Sequence, residues 1–339
     1  MLNFAIIGIG GLGKLHLRNV VEMEKTSGEI KLVALCDVEE KRFTEEIVTN
    51  LGGDTSPLDL SAYRLYTDVN DMLANEKLDF VITALPIYLH ERIAVLALEK
   101  GLHVFSEKPM ARNLEQCKNM IDKAKEHGKL LMIGQCLRYV PEYAKLKEYI
   151  DSKTFGSVIR AEFKRYAATP MWSWQNWLHD FEKSGCAALD MHIHDVDYVN
   201  WAFGKPKSVS SCATHAKTRF DSIFTRYQYD DKLVEASCDW GLTDSFPFSP
   251  AFLVRFENAV VKFENNVMTV CPKDGEAFVP ELEQSDPYVS EVIDFINCIK
   301  ENRALTDIPV TPESAMMSTK IALAEIESAE KGKVIDVER

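Results

Sequence analysis

Short apolar runs alternate with helical stretches through the first third of the chain. Phe4–Ile9, Lys31–Cys36, Phe80–Leu85, His103–Phe105 and Leu130–Ile133 are brief, rich in β-formers and bounded by Gly, Asp or Pro, as buried strands are. Between them, Leu12–Glu24, Glu91–Lys100 and Leu114–His127 repeat apolar residues at i, i+3 and i+4, which predicts helices. Strand–helix–strand repetition of this kind folds through right-handed crossovers into a doubly wound parallel sheet, an α/β Rossmann arrangement. Gly101 and Gly128 fall just past their helices, where a left-handed residue ends the turn.

The pattern changes after about residue 137. Val158–Ala167, Ser208–Thr218, Ile223–Asp230, Leu233–Trp240, Phe252–Phe256 and Ala259–Glu264 read as longer alternating strands, with turns at Asp230-Asp231 and Asn258. They predict a large, mainly antiparallel open sheet, interrupted by a helix around Asp190–Phe203 and followed by helices at Val289–Lys300 and Pro312–Lys331. The chain therefore divides into an α/β unit over 1–136 and an α+β unit over 137–339, without a Pro/Ser-rich linker or an internal repeat.

Composition removes several classes of function. The formal net charge of −13 repels nucleic-acid phosphates and anionic lipid, and no block of five or six Lys/Arg offsets it locally. The apolar run Phe80–Leu89 is about half a membrane span. The cysteines, at Cys36, Cys117, Cys136, Cys186, Cys212, Cys238, Cys271 and Cys298, are too widely scattered for Cys-x-x-Cys zinc or redox motifs. With no basic leader before the strand at Phe4, the expectation is a reduced, cytoplasmic protein.

Gly8-Ile9-Gly10-Gly11-Leu12-Gly13 has the form G-x-G-x-x-G and lies between a strand and a helix. Gly8 permits a tight turn, Gly10 admits a pyrophosphate close to the backbone, and Gly13 lets helix and strand approach. Gly11 and Leu12 open the helix whose N-terminus faces the anion. Asp37 ends the second strand, slightly farther along the chain than the roughly 20 residues usual for the acidic member of this fingerprint. A carboxylate there accepts from ribose hydroxyls and repels a 2′-phosphate, favouring NAD; capping of the following helix is the alternative. Lys41 and Arg42 follow closely, so NADP is not excluded.

Three further segments carry a resemblance: Leu85-Pro86-Ile87-Tyr88-Leu89-His90, then Ser106-Glu107-Lys108-Pro109, then Gly134-Gln-Cys-Leu-Arg138-Tyr-Val-Pro141. With the glycine loop and Ser184-Gly185…Asp190-Met-His-Ile-His194-Asp195, the chain resembles the Gfo/Idh/MocA family of sugar and inositol dehydrogenases. The resemblance implies nicotinamide-dependent oxidation of a carbinol carbon in a sugar, cyclitol or related polyol. It implies catalytic roles for Lys108, Asp190 and His194, cofactor contacts from Pro86, His90, Glu107 and Lys108, and a substrate pocket that includes Tyr166 and Trp177. It also implies pairing into a homodimer or homotetramer.

The residue chemistry supports these roles. His194 titrates near neutrality and suits the hydroxyl proton, and Lys108 supplies a cation for the developing alkoxide. On one helix Asp190 and His194, four apart, share a face, so the carboxylate can orient the imidazole. On a strand, His192 and His194 would instead point together and could chelate a metal; no metal is expected. Arg138 either reaches the cofactor or anchors a neighbouring element. Trp172, Trp174 and Trp177 serve core packing, a subunit contact or a wall for a sugar ring. Ile87, Cys186-Ala187 and His192 depart from the family pattern, at positions where Asn, a Gly-rich run and Gly are common. A dinucleotide-binding redox sensor without turnover is the alternative function.

Overall fold

The computed structural model describes residues 1–45, 56 and 58–337. Its first third forms β1 (Leu2–Ile7), α1 (Gly11–Ser27), β2 (Ile30–Cys36), β3 (Arg64–Tyr66), α2 (Val69–Asn75), β4 (Phe80–Thr83), α3 (His90–Glu99), β5 (His103–Glu107), α4 (Leu114–Glu126) and β6 (Leu131–Gly134). The six strands lie parallel in the order β3-β2-β1-β4-β5-β6. This is the doubly wound order in which ligands bind beyond the carboxyl ends of the strands, where strand order reverses. β4 and β6 are buried at every position, which is why they read as unbroken apolar runs rather than alternating ones. Sequence reading missed β3 and α2, which are short and carry several exposed positions.

The second part comprises α5 (Pro141–Ser152), β7 (Val158–Ala168), α6 (Phe181–Ser184), α7 (Cys186–Asp190), α8 (Ile193–Phe203), β8 (Ser208–Thr214), β9 (Ser222–Gln228), β10 (Leu233–Leu242), β11 (Ser249–Phe256), β12 (Ala259–Glu264) and β13 (Val267–Pro272). After it come α9 (Pro287–Lys300), α10 (Pro312–Lys331) and β14 (Ile335–Asp336). Eight strands form one sheet in the order β13-β12-β11-β7-β10-β9-β8-β14. All neighbours are antiparallel except β7 and β10, which run parallel because helices separate β7 from the meander that follows. The predicted strands at 208–218 and 223–230 end earlier, at Thr214 and Gln228, and β13 and β14 were not anticipated.

Two compact units result, but not as 1–136 and 137–339. The chain leaves the first unit at Gly134, then returns for Pro170–Trp177 and Tyr288–Met316; the second holds Gln135–Thr169, Leu178–Pro287 and Met317–Arg339. Aromatic packing explains one return: Phe295 of α9 sets its ring against Phe80 and Phe105 of the parallel sheet, centroids 5.7 and 5.8 Å away. The other return is tied by Trp174, whose indole N–H donates to Glu39 at 3.3 Å. Neither link leaves a trace in linear hydrophobic periodicity.

The predicted helix over 190–203 is also corrected. The His192 N–H bonds the Ala187 carbonyl five residues back, widening the turn, and the chain breaks into α7 and α8 around Met191 and His192. Met191 and His192 keep right-handed helical dihedrals, so the chain passes from Asp190 to His194 through a widened turn and not through a loop.

The glycine loop follows from close approach. A Cβ on Gly13 would stand 1.9 Å from the Gly8 carbonyl oxygen, and one on Gly8, at φ +92°, would stand 2.4 Å from that of Ala84. At Gly10 a Cβ would meet nothing within 4 Å. Gly13→Ala is therefore expected to cost about 2–3 kcal/mol or more of stability and to lower the melting temperature, while Gly10→Ala melts like the wild type. Calorimetry of both variants checks this; equal melting of Gly13→Ala and wild type would refute it.

Candidate functional site

In the first unit, the candidate groups gather on loops at the carboxyl ends of the parallel strands. The N-terminus of α1 has Gly10 as its cap and no side-chain acceptor closing its first turn. Together with the open space at Gly10, this leaves main-chain N–H groups for an anion, so the residues present fit a dinucleotide pyrophosphate. Asp37 Oδ2 accepts from the Ile9 N–H at 2.7 Å and Oδ1 from the Glu39 N–H at 3.0 Å. Asp37 thus ties the glycine loop to the turn after β2. Each of its oxygens keeps a further lone pair for a hydroxyl. Glu39 sets a second carboxylate beside that turn. Arg42 is paired with Glu45, and Lys41 stands 3.9 Å from Glu39, so both cations face carboxylates.

Glu107 ends β5 and is almost fully buried. Its Oε1 stands 2.6 Å from His16 Nε2 and its Oε2 accepts from the Lys108 N–H at 3.1 Å. Each oxygen of Glu107 thus has a partner within the protein, one on α1 and one at the Lys108 turn. His90, expected at the cofactor too, is completely buried. Nδ1 faces the Pro109 carbonyl and Nε2 the Leu85 carbonyl, each at 2.8 Å. Lys108 itself is half-buried, and Pro86 precedes the short 3₁₀ turn Ile87–Leu89 that leads into α3.

Glu291 of α9 joins His16 and Glu107 to form the one close group of three ligating side chains among the described residues, with ligand atoms within 4.8 Å of one another. A tetrahedral zinc ion holds its donor atoms about 3.3 Å apart at metal–ligand distances near 2.0–2.1 Å. The 2.6 Å separation of His16 and Glu107 is a hydrogen bond rather than a cage edge. Sequence reading missed this group. Its signal was a histidine on the apolar face of α1, in phase with Gly13, Leu17 and Val20.

In the second unit, His194 is the second residue of α8, and Cys136 Sγ lies 3.8 Å from its Nδ1. Asp190 closes α7 and is half-buried. The neighbours of His194 on α8 are anchored by buried ion pairs. Arg165 of β7 meets Asp195 at 2.7 and 3.2 Å. Arg138 meets Asp197 at 2.9 and 2.8 Å, with the Ser318 hydroxyl donating to Asp197 at 2.7 Å. Of the two readings of Arg138, the pairing with Asp197 is that of an anchor for a neighbouring element. Burial works against the Arg165 charge, and the Asp195 carboxylate outweighs it, holding the guanidinium above its ordinary pKa.

His192 is wholly buried, with Nε2 3.0 Å from Glu325 of α10, and it precedes a helix instead of lying on a strand beside His194. The Tyr166 hydroxyl bonds Ser237 of β10 at 2.9 Å, and Trp177 is half-buried in the first unit. Cys186 has φ +53°, a left-handed geometry that explains why glycine is common there; burial pushes its thiol pKa up.

Residues 2–135 match the GFO_IDH_MocA model, an oxidoreductase family with an NAD-binding Rossmann fold, and residues 143–276 match the GFO/IDH/MocA C-terminal domain. The chain is 28% identical to the 2,7-anhydro-N-acetylneuraminate hydratase of Mediterraneibacter gnavus over 73% of its own length and 63% of the hydratase, less than two thirds of that protein. It is 24% identical to the scyllo-inositol 2-dehydrogenase (NAD(+)) of Bacillus subtilis over 98% and 96% of the two chains. In fold it is similar to a levoglucosan dehydrogenase solved with NADH and levoglucosan, with a TM-score of 0.83, 18% identity and full coverage of both chains.

Replacing Asp195 with Asn would leave Arg165 buried without its counter-charge. The expected loss is about 3–5 kcal/mol in urea unfolding. Asp122→Asn, which breaks an exposed pair with Lys118, is expected to change stability by less than about 1 kcal/mol. Equal effects of the two variants would contradict the anchoring of α8.

Proposed function

The chain belongs to the Gfo/Idh/MocA oxidoreductase family, and on that premise we propose that it transfers hydride between a carbinol carbon of a sugar, cyclitol or related polyol and a bound nicotinamide. The observation that carries the reading is the pairing of an open glycine-loop anion site with Lys108 at the end of β5 in one chain. NAD, when bound, supplies the hydride acceptor. The main chain at Gly10, Gly11 and Leu12 holds its pyrophosphate, Pro86 lines its loop, and Asp37 accepts from its ribose hydroxyls. Glu39 adds a second negative charge beside Asp37, which disfavours a 2′-phosphate and so NADP.

His194 takes the hydroxyl proton as the carbon gives up its hydride, and returns it in the reverse direction. With Nδ1 turned toward the Cys136 thiol, the proton is assigned to Nε2. Asp190 stabilises the imidazolium that forms, and Lys108 neutralises the growing alkoxide without changing its own protonation. Tyr166 and Trp177 contribute to the substrate pocket. The protein is further proposed to pair as a homodimer or homotetramer, through the face of the eight-stranded sheet that exposes Phe224, Leu233 and Leu253. Light scattering at micromolar concentration is expected to give a mass of two or four chains; a monomer would overturn that assignment.

A panel of hexoses, cyclitols, levoglucosan and 2,7-anhydro-N-acetylneuraminate, followed by NADH absorbance, tests the activity. On the substrate so found, Lys108→Ala is expected to lower kcat by about 10²–10³ and His194→Ala by about 10²–10⁴. Tight NADH binding with no turnover across the panel would point instead to a dinucleotide-binding sensor. Near wild-type rates in both variants would remove the assigned roles.

A further inference from the structure

His90 was expected to meet the cofactor, yet none of its surface is exposed. It opens α3, just after the loop that follows β4, and its ring spans two loops. Nε2 lies 2.8 Å from the carbonyl oxygen of Leu85, and Nδ1 lies 2.8 Å from that of Pro109. Carbonyl oxygens accept hydrogen bonds and never donate. A neutral imidazole carries one N–H and would leave the other nitrogen's lone pair pressed against a carbonyl oxygen at hydrogen-bond distance. Two accepting partners therefore require two N–H donors, that is, an imidazolium.

We propose that His90 is a positioning residue, a doubly protonated ring that bridges Leu85 and Pro109 and so fixes the turn bearing Lys108. This rests on the catalytic reading of Lys108 above. The charged groups that act on the ring are the Glu107 carboxylate and the Lys108 ammonium. Burial pushes the imidazole down from its ordinary pKa, and Lys108 adds a like charge. The two carbonyls and Glu107 act the other way. Burial outweighs the two carbonyls and Glu107 and holds the imidazole below its ordinary pKa. The ground for the second proton is the geometry alone, since a ring with one N–H sets a lone pair against a carbonyl oxygen at 2.8 Å. The bridge joins the Pro86 loop, which follows β4, to the Lys108–Pro109 turn, which follows β5. A glutamine in its place has both N–H groups on one nitrogen and can serve one carbonyl at a time.

Two measurements test this. In protein labelled with ¹⁵N-histidine, both His90 ring nitrogens are expected to carry protons at pH 7, with the signal identified by variants that remove the other histidines one at a time. A single neutral tautomer there overturns the bridge, and this measurement does not need a folded His90 variant. In kinetics, His90→Gln is expected to lower kcat between tenfold and a hundredfold at saturating NAD. The Lys108→Ala/His90→Gln double variant is expected to be no slower than Lys108→Ala, because the two losses are the same loss. Wild-type turnover in His90→Gln, or fully additive losses, overturns the positioning role. Wild-type turnover in Lys108→Ala instead sinks the catalytic reading, and the ring protonation then decides the bridge alone.

Discussion

Arg165 and Asp195 face each other at 2.7 and 3.2 Å where water is excluded, and neither could remain there alone. A charge taken out of water costs several kcal/mol unless a partner and its hydrogen bonds replace the solvent. The same constraint governs Arg138 with Asp197, and the buried carboxylates of Glu325 and Glu107 stand beside His192 and His16 at 3.0 and 2.6 Å. Each pair joins elements far apart in sequence, and together they hold the loops and helix ends that carry the candidate groups. These pairs contribute geometry more than net stability, since an apolar substitution of matching shape is often no less stable.

In the first unit the constraint acts on the carboxyl edge of the parallel sheet. Glu107 reaches back to His16 on the helix that opens the glycine loop, and forward to the main chain of Lys108. His90 spans from the loop after β4 to Pro109. Asp37 holds Ile9. Three side chains that belong to nucleotide-binding motifs thus brace the backbone around a prospective cofactor. Rigid support of this kind removes reorganisation from the reactive step, the usual source of electrostatic catalysis. In the second unit Asp195 and Asp197 anchor α8 from beneath, with His194 one residue earlier than Asp195 on the same helix.

Much of this was legible in the chain. The parallel α/β unit followed from strand-length apolar runs separated by helical periodicity, and the glycine loop followed from the spacing of Gly8, Gly10 and Gly13. The helix Pro312–Lys331 keeps its expected bounds. What could not be read was pairing at a distance. Arg138 had two readings until Asp197 stood opposite it, and His192 until Glu325 did. The expectation of a single helix over 190–203 depended on unbroken α-helical hydrogen bonding, and one widened turn at His192 divides it. No local propensity marks such a turn.

The sequence by itself therefore determined most of the longer elements, the doubly wound character of the first unit, the glycine loop and the candidacy of Lys108 and His194, because periodicity and short motifs are local properties. Only the tertiary structure decided that residues 170–177 and 288–316 pack with the first unit, and that Glu107 and His90 turn inward. The physical reason is the one that binds Arg165 to Asp195. Which polar group must be satisfied, and by what, depends on the exclusion of water, and that is a property of the folded whole.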